Sequence, residues 1–135
     1  MSFSSVLIAN RGEIAIRIAR ACNELGIRSV SVFAEDDEAC LHTRKSDEAV
    51  ALRGRGSKAY LDMDQLIAIA RDRGCDAIHP GYGFLAENAV FARRCAEAGI
   101  VFIGPAPEVL ERFGDKSAAR ALAEQNHVPL VAGIN

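Results

Sequence analysis

Short apolar runs alternate along the chain with longer segments in which apolar and polar residues follow a helical period. Each apolar run is too short for a helix and is rich in β-branched or small residues, as expected for a strand buried on both faces of a sheet. These runs predict five β-strands, at residues 6–9, 29–34, 48–52, 76–79 and 100–103.

The segments between the runs predict amphipathic helices. In residues 13–25, Ile14, Ile18 and Cys22 share one helical face, and Gly26 follows as a natural stop. Asp62 followed by Gln65 resembles a capping box at the start of a second helix. Further helices are predicted at residues 88–98, 107–112 and 118–123.

Strands that alternate with helical crossovers favour a parallel arrangement, because a parallel strand can be reached only by a long connection. The pattern therefore predicts an α/β fold with an open, mainly parallel five-stranded sheet covered by helices on both faces. A last strand-like run at residues 129–134 has no packing partner in the sequence, so we expect the chain to be a piece of a longer protein.

Composition narrows the class of protein. Of the 135 residues, 50% are hydrophobic and 25% are charged, which is typical of a soluble globular domain, and the net charge of -2 provides no basic field for nucleic acid. The four cysteines form no CxxC pair, which argues against a zinc site or a disulfide framework. Neither a signal peptide nor a membrane span is evident, so we expect a cytoplasmic protein with reduced thiols.

The stretch HPGYGFLAEN, residues 79–88, follows the fourth predicted strand and precedes a helix. Ligands of open α/β sheets bind at the carboxyl ends of strands, and glycine lets a loop turn tightly or approach a ligand closely. This loop is therefore the best candidate for a binding site. We expect His79 to be a hydrogen-bonded structural residue rather than a general base.

Glu87, near the end of this stretch, has two open interpretations. It is expected to hold the loop, through backbone N–H groups at the helix start or by pairing with Arg11 or Arg17, in preference to acting in catalysis. Two other polar stretches are not assigned a ligand, because neither accompanies a phosphate-binding fingerprint. The acidic cluster at residues 35–38 is interpreted as a helix start or solvated turn, and RGRGSK at residues 53–58 as a flexible surface loop.

Four motifs in order, IANRGEIA, HPGYGFLAEN, FIGP and GDK, make the sequence resemble the N-terminal region of the biotin carboxylases. The resemblance extends over nearly the whole chain. It implies a Rossmann-like domain of the kind that precedes an ATP-grasp region, with residues 1–113 forming that domain and residues 114–135 beginning the ATP-grasp region.

In this family, ATP and bicarbonate give carboxyphosphate, and the resulting CO₂ is transferred to a ureido nitrogen of biotin. The resemblance implies that Lys116 of the GDK motif binds the ATP phosphates, and that Gly81, Tyr82 and Gly83, with Glu87 nearby, form a wall of the cleft on the biotin or bicarbonate side. It places the residues that bind Mg²⁺ and those that catalyse the reaction downstream, so the isolated chain is expected to be inactive.

The implied partners are a biotin carboxyl carrier domain, bicarbonate and a carboxyltransferase module or subunit, in a homodimer or a larger assembly. The helix that carries Arg17, Arg20 and Glu24 corresponds to a region that contributes to dimerisation in bacterial members. The final carboxyl acceptor is left open. Two alternatives also remain open: the preceding domain of another ATP-grasp ligase, and a non-catalytic α/β binding or assembly module.

Overall fold

The computed structural model describes residues 3–104 and residue 110. Within this part, the strands are β1 (Ser5–Ile8), β2 (Arg28–Phe33), β3 (Glu48–Ala51), β4 (Ala77–His79) and β5 (Val101–Phe102). The α-helices are α1 (Gly12–Glu24), α2 (Met63–Asp72) and α3 (Ala89–Glu97). Three short 3₁₀ helices lie in the connections, at Glu35–Asp37, Leu41–Arg44 and Ser57–Leu61. The predicted helices at residues 107–112 and 118–123 lie outside the described residues, apart from Leu110.

The five strands form one sheet in the order β3-β2-β1-β4-β5, and every neighbouring pair is parallel. The predicted α/β class with a five-stranded parallel sheet is thus confirmed. The strands begin and end within two residues of the predicted positions.

The sheet buries apolar side chains on both faces, because successive residues of a strand point to opposite sides. On one face, Val6 and Ile8 of β1 pack with the α1 residues Ala15 and Ile18. The opposite face carries the larger cluster, whose members come from β1, β2, β4, α2 and α3; they include Leu7, Val30, Val32, Leu66, Ile78 and Phe91. The apolar stripe predicted for the first helix is therefore its buried face.

The helix ends follow their sequence signals. Asp62 caps α2 by accepting a hydrogen bond from the backbone N–H of Gln65 at 3.2 Å, as predicted. Asn88 caps α3 in the same way through the N–H of Phe91 at 2.9 Å. After α1, the chain turns at Gly26 with φ +70°, a conformation that glycine adopts without steric cost.

The first strand lies at the centre of the sheet, with β2 on one side and β4 on the other. The strand order therefore reverses between β1 and β4. At such a switch point the connections leave toward opposite faces and open a crevice outside the carboxyl ends of the strands. The loops that border this crevice are the β1–α1 connection and the stretch that begins at His79.

Candidate functional site

The loop after β4 and the loop after β1 are joined by a buried amide. The side chain of Asn10, 1% exposed, donates from Nδ2 to the carbonyl oxygens of Pro80 and Tyr82, both at 2.8 Å. Its Oδ1 accepts a hydrogen bond from the backbone N–H of Arg11 at 2.8 Å. Asn10 thus connects two motifs, NRGE and HPGYG, that lie about 70 positions apart in the chain.

The backbone of the HPGYGF stretch contains three left-handed residues in close succession. Gly81 has φ +69°, Gly83 has φ +74°, and Phe84 has φ +46°, which is the only positive φ at a non-glycine residue of the described chain. A non-glycine residue in this region persists only when its surroundings hold it there. The Phe84 ring packs on the Tyr60 ring, with centroids 5.5 Å apart.

The side chain of Tyr82 projects from this loop and is 81% exposed. Its two neighbours are glycines, so no adjacent side chain covers the ring. An exposed phenol offers an apolar face and a hydroxyl to a ligand. The structure therefore places Gly81, Tyr82 and Gly83 together at the switch point, where the sequence predicted a binding loop.

His79 supports the loop through a hydrogen bond to its backbone. Its Nδ1 accepts a hydrogen bond from the N–H of Gly81 at 3.0 Å, so the neutral imidazole carries its proton on Nε2. Burial lowers the pKa of His79 below its usual value, which favours this neutral form. His79 is thus hydrogen-bonded, as predicted, and its structural role stays a prediction.

A second buried network lies beside the β1–α1 loop. The carboxylate of Asp37, 4% exposed, accepts hydrogen bonds from the Tyr60 hydroxyl at 2.6 Å and from the Arg11 guanidinium at 2.5 Å. Burial by itself raises the pKa of Asp37, but the Tyr60 bond and the Arg11 charge outweigh it and hold that pKa below its usual value. The Tyr60 hydroxyl also accepts the Ala34 N–H at 3.1 Å.

This network corrects one prediction. The acidic cluster at residues 35–38 does begin a short 3₁₀ helix, but Asp37 is buried and ion-paired rather than solvated. The physical reason is that Tyr60 and Arg11, which are far from Asp37 in sequence, meet it at the carboxyl end of β2. Within the cluster, Asp37 is the buried member, and the other three acids are exposed.

His42 packs beside the β1–α1 loop and is 1% exposed. Its Nε2 lies 3.0 Å from the Val32 carbonyl, and its Nδ1 lies 3.4 Å from the N–H of Gly12, an arrangement that again fits the neutral imidazole. Burial lowers the pKa of His42. No pattern in the sequence singled out this histidine.

The other predicted site residues are placed as follows. Glu87 is exposed, and Asn88 rather than Glu87 caps α3. Arg11 pairs with Asp37 and Arg17 with Glu13, so neither arginine takes the pairing with Glu87 that the sequence suggested. Lys116, the predicted ATP ligand, lies outside the described residues.

The described residues contain no group of three or more His, Cys, Asp and Glu side chains that could hold a metal ion. Among the same residues, no helix is long and apolar enough to cross a membrane.

Comparison with known proteins places this geometry in a family. The family model for the biotin carboxylase N-terminal domain matches residues 2–110. The chain is 56% identical over 135 residues to the pyruvate carboxylase of Bacillus subtilis, covering 98% of this chain and 12% of the relative. It is 52% identical over 132 residues to the biotin carboxylase of Halalkalibacterium halodurans, covering 97% of this chain and 29% of the relative.

A solved structure agrees with the sequence relatives. The biotin carboxylase domain of a thermophilic 2-oxoglutarate carboxylase, bound to bicarbonate, is 45% identical to this chain and superposes with a TM-score of 0.85 over 99% of this chain and 30% of that domain. The chain thus spans less than a third of each of these three proteins. By sequence and by fold, it belongs to the family of biotin carboxylase N-terminal domains.

Proposed function

We propose that this chain serves as the N-terminal part of a biotin carboxylase, which uses ATP and bicarbonate to carboxylate biotin on a carrier protein. In this proposal, residues 1–113 form the Rossmann-like domain and residues 114–135 begin the ATP-grasp region. The family match over residues 2–110 supports the assignment. The relative whose structure is bound to bicarbonate supports the choice of that substrate.

The observation that carries the proposal is the exposed Tyr82 ring on a loop whose backbone is held in place. Surface loops are usually mobile, yet this one is fixed by Asn10 and His79 while its central side chain stays 81% exposed. Such an arrangement favours a role in ligand positioning. Gly81, Tyr82 and Gly83 then form one wall of the cleft on the biotin or bicarbonate side, with Glu87 at its edge.

Lys116 is proposed to bind the ATP phosphates. An ammonium group at this position donates charge-assisted hydrogen bonds to phosphate oxygens and neutralises the charge that develops during phosphoryl transfer. The support is the GDK motif in register with the rest of the family pattern. Mg²⁺ is proposed to be held by carboxylates of the downstream region.

The partners proposed for the complete protein are a biotin carboxyl carrier domain and a carboxyltransferase module or subunit, in a homodimer or larger assembly. The pyruvate carboxylase among the relatives supports attachment to further modules, since the match covers only 12% of its length. Arg20 and Glu24 are exposed on α1 and are available for a subunit contact. A cytoplasmic location stays a prediction.

A chimera tests the proposed function. In it, this chain replaces the aligned N-terminal segment of the Halalkalibacterium halodurans biotin carboxylase, with which it shares 52% identity. We expect the chimera to show biotin-dependent cleavage of ATP in the presence of bicarbonate and Mg²⁺, and residues 1–135 alone to show none.

The unmodified Halalkalibacterium enzyme and its truncated form without the N-terminal segment serve as controls. A chimera that folds and assembles like the unmodified enzyme, by circular dichroism and native mass, but cleaves no ATP would contradict the proposal. Activity of residues 1–135 alone would contradict the predicted dependence on the downstream region.

A further inference from the structure

The side-chain amide of Asn10 forms hydrogen bonds to two loops of the switch point. An asparagine amide has two N–H donors and one carbonyl oxygen, and here both donors go to the loop after β4, while the oxygen accepts from Arg11. Both donors point at carbonyl oxygens, so the orientation of the amide is fixed by chemistry. The residue is buried, and its bonds therefore do not compete with water.

The two carbonyls that Asn10 holds, those of Pro80 and Tyr82, flank Gly81. A Cβ atom added to Gly81 would lie 2.6 Å from Asn10 Nδ2 and 2.8 Å from Ile14 Cγ2, distances at which the atoms would overlap. The Asn10 amide thus lies directly against the glycine backbone. The glycine is required here both for its φ of +69° and for this close approach.

The Tyr82 carbonyl oxygen belongs to the same residue as the exposed ring. That carbonyl and the Gly81 N–H, whose bond His79 accepts, lie on opposite sides of the Tyr82 Cα, so both hydrogen bonds restrict the backbone that carries the ring. On the C-terminal side, the packing of Phe84 on Tyr60 limits the loop. Such preorganisation lowers the entropic cost of a contact between a ligand and the ring.

We propose that Asn10 is a positioning residue for the carboxylation site, which orients Tyr82 toward the biotin side of the cleft by holding the Pro80 and Tyr82 carbonyls. This inference rests on the proposed function, because it takes Tyr82 to line that cleft. Asn10 itself touches no substrate in this assignment. Its action requires two amide donors, which distinguishes it from a residue that only fills space.

The test uses Asn10→Asp, which keeps the shape of the side chain but replaces the double donor by oxygen facing two carbonyls, and Asn10→Ala, which removes the amide without adding charge. Both are placed in the chimeric biotin carboxylase, alone and combined with Tyr82→Ala. We expect Asn10→Asp to lower kcat/KM for biotin at least about tenfold, while KM for ATP stays within about twofold. In the Tyr82→Ala background, Asn10→Asp should cause no further loss.

Gln65→Glu is the matched control. Gln65 is also a buried amide that ties a distant loop to a helix, donating to the Arg53 carbonyl at 2.9 Å and accepting the Arg53 N–H at 2.7 Å. It lies on α2, and its hydrogen bonds go to Arg53 and Asp62, not to the HPGYG loop. We expect Gln65→Glu to lose about as much thermal stability as Asn10→Asp does. Its kcat/KM for biotin should stay unchanged.

Additive effects of Asn10→Asp and Tyr82→Ala on kcat/KM for biotin would overturn the proposal. The proposal would also be overturned if biotin kinetics were impaired in Tyr82→Ala but normal in Asn10→Asp.

A second measurement separates this inference from the proposed function: the NMR amide signals of Gly81 and Gly83 in residues 1–135. They should shift in Asn10→Asp and stay in place in Gln65→Glu. Unshifted signals in Asn10→Asp would refute the hydrogen bonds of Asn10 to the Pro80 and Tyr82 carbonyls. Shifted signals with a kinetically silent Tyr82→Ala would instead refute the role proposed for Tyr82, and with it the positioning role of Asn10 in carboxylation.

Discussion

The hydroxyl of Tyr60 donates a 2.6 Å hydrogen bond to the carboxylate of Asp37, and both side chains are buried. The same hydroxyl accepts the Ala34 N–H, so it joins the end of β2 to the 3₁₀ helix that carries Tyr60. The Arg11 guanidinium completes the environment of the carboxylate from the β1–α1 loop. The Tyr60 hydroxyl and the Asp37 carboxylate together therefore link three connections at the carboxyl edge of the sheet.

Removing this oxygen should destabilise the fold. Tyr60→Phe keeps the ring and its packing on Phe84, but leaves the Ala34 N–H without its partner and deprives the Asp37 carboxylate of one donor. Leaving buried polar groups unsatisfied costs about 1–3 kcal/mol. We expect a loss of that size in the free energy of unfolding, measured by urea denaturation of residues 1–135.

The matched control removes the same atom from a surface residue. Tyr82 is 81% exposed, so Tyr82→Phe should change the free energy of unfolding by less than about 0.5 kcal/mol. Equal stabilities for the Tyr60→Phe and Tyr82→Phe proteins would show that the buried Tyr60 hydroxyl contributes nothing to the free energy of unfolding.

The caps and turns that were predicted from sequence depend on neighbouring residues, whereas the side-chain contacts that were missed join distant ones. The capping of α2 by Asp62 and the turn at Gly26 involve partners within a few positions, so their patterns are visible in the sequence. Asp37 looked like one of four solvated acids because its partner Tyr60 lies 23 positions away. Asn10 was not singled out in the sequence because its acceptors lie 70 and 72 positions away.

Gly81 and Gly83 provide a direct test of the close contact with Asn10. Both have positive φ, so an alanine at either position is strained by its backbone conformation. Only at Gly81 would the new Cβ overlap the Asn10 amide, at 2.6 Å, whereas nothing lies within 4 Å of a Cβ at Gly83. Gly83→Ala should cost about 1 kcal/mol, and Gly81→Ala at least about 1 kcal/mol more.

Thermal and urea unfolding of the two alanine variants would supply this comparison. Because the strain from positive φ is common to both, the difference between them reports the overlap of the new Cβ with Asn10 and Ile14. If Gly81→Ala were no less stable than Gly83→Ala, the close packing of the amide against the loop would be refuted.

The two described histidines should make stability depend on pH. Burial lowers the pKa of both His42 and His79 in the folded protein, so below the ordinary value of 6.5 the unfolded chain binds more protons than the folded chain. Their contribution is fully present above about pH 6.5 and is lost as the pH falls. We expect the free energy of unfolding to decrease from pH 7.5 to pH 5.5, by at most about 1.4 kcal/mol per pH unit for each histidine.

Urea denaturation at pH 7.5, 6.5 and 5.5 checks this expectation, and His79→Asn serves as the comparison because its amide oxygen replaces Nδ1 as acceptor for Gly81. The variant should show a shallower decrease. The lowered pKa of Asp37 gives a separate effect of the same direction only below about pH 4, where the unfolded chain binds a proton at this carboxyl while the folded chain keeps it ionised. It therefore does not disturb the range from pH 7.5 to pH 5.5. A slope that His79→Asn leaves unchanged would contradict the assignment to His79.

The four cysteines should differ in reactivity. Cys22, Cys75 and Cys95 are buried, and burial raises their pKa values, that of Cys95 to about 11, whereas Cys40 is only partly buried. The thiolate is the reactive form, and with a pKa near 11 about 0.1% of Cys95 is ionised at pH 8. Iodoacetamide should therefore label Cys40 first in the folded protein, as measured by peptide mass spectrometry. Cys40→Ser should abolish the fast phase, and rapid labelling of Cys95 would contradict its buried environment.

The role proposed for Lys116 can be tested through ATP kinetics, because its proposed partner is a ligand of defined charge. In the chimeric biotin carboxylase, Lys116→Ala should raise KM for ATP or lower kcat at least about tenfold, which corresponds to roughly 1.4 kcal/mol. Lys116→Arg keeps the charge but replaces a compact ammonium by a planar group, so it should recover only part of the loss. Lys45→Ala, at an exposed lysine, is the control and should behave like the unmodified chimera. Unchanged ATP kinetics in Lys116→Ala would remove this lysine from the nucleotide site, while leaving the role proposed for Tyr82 to be decided by the biotin kinetics.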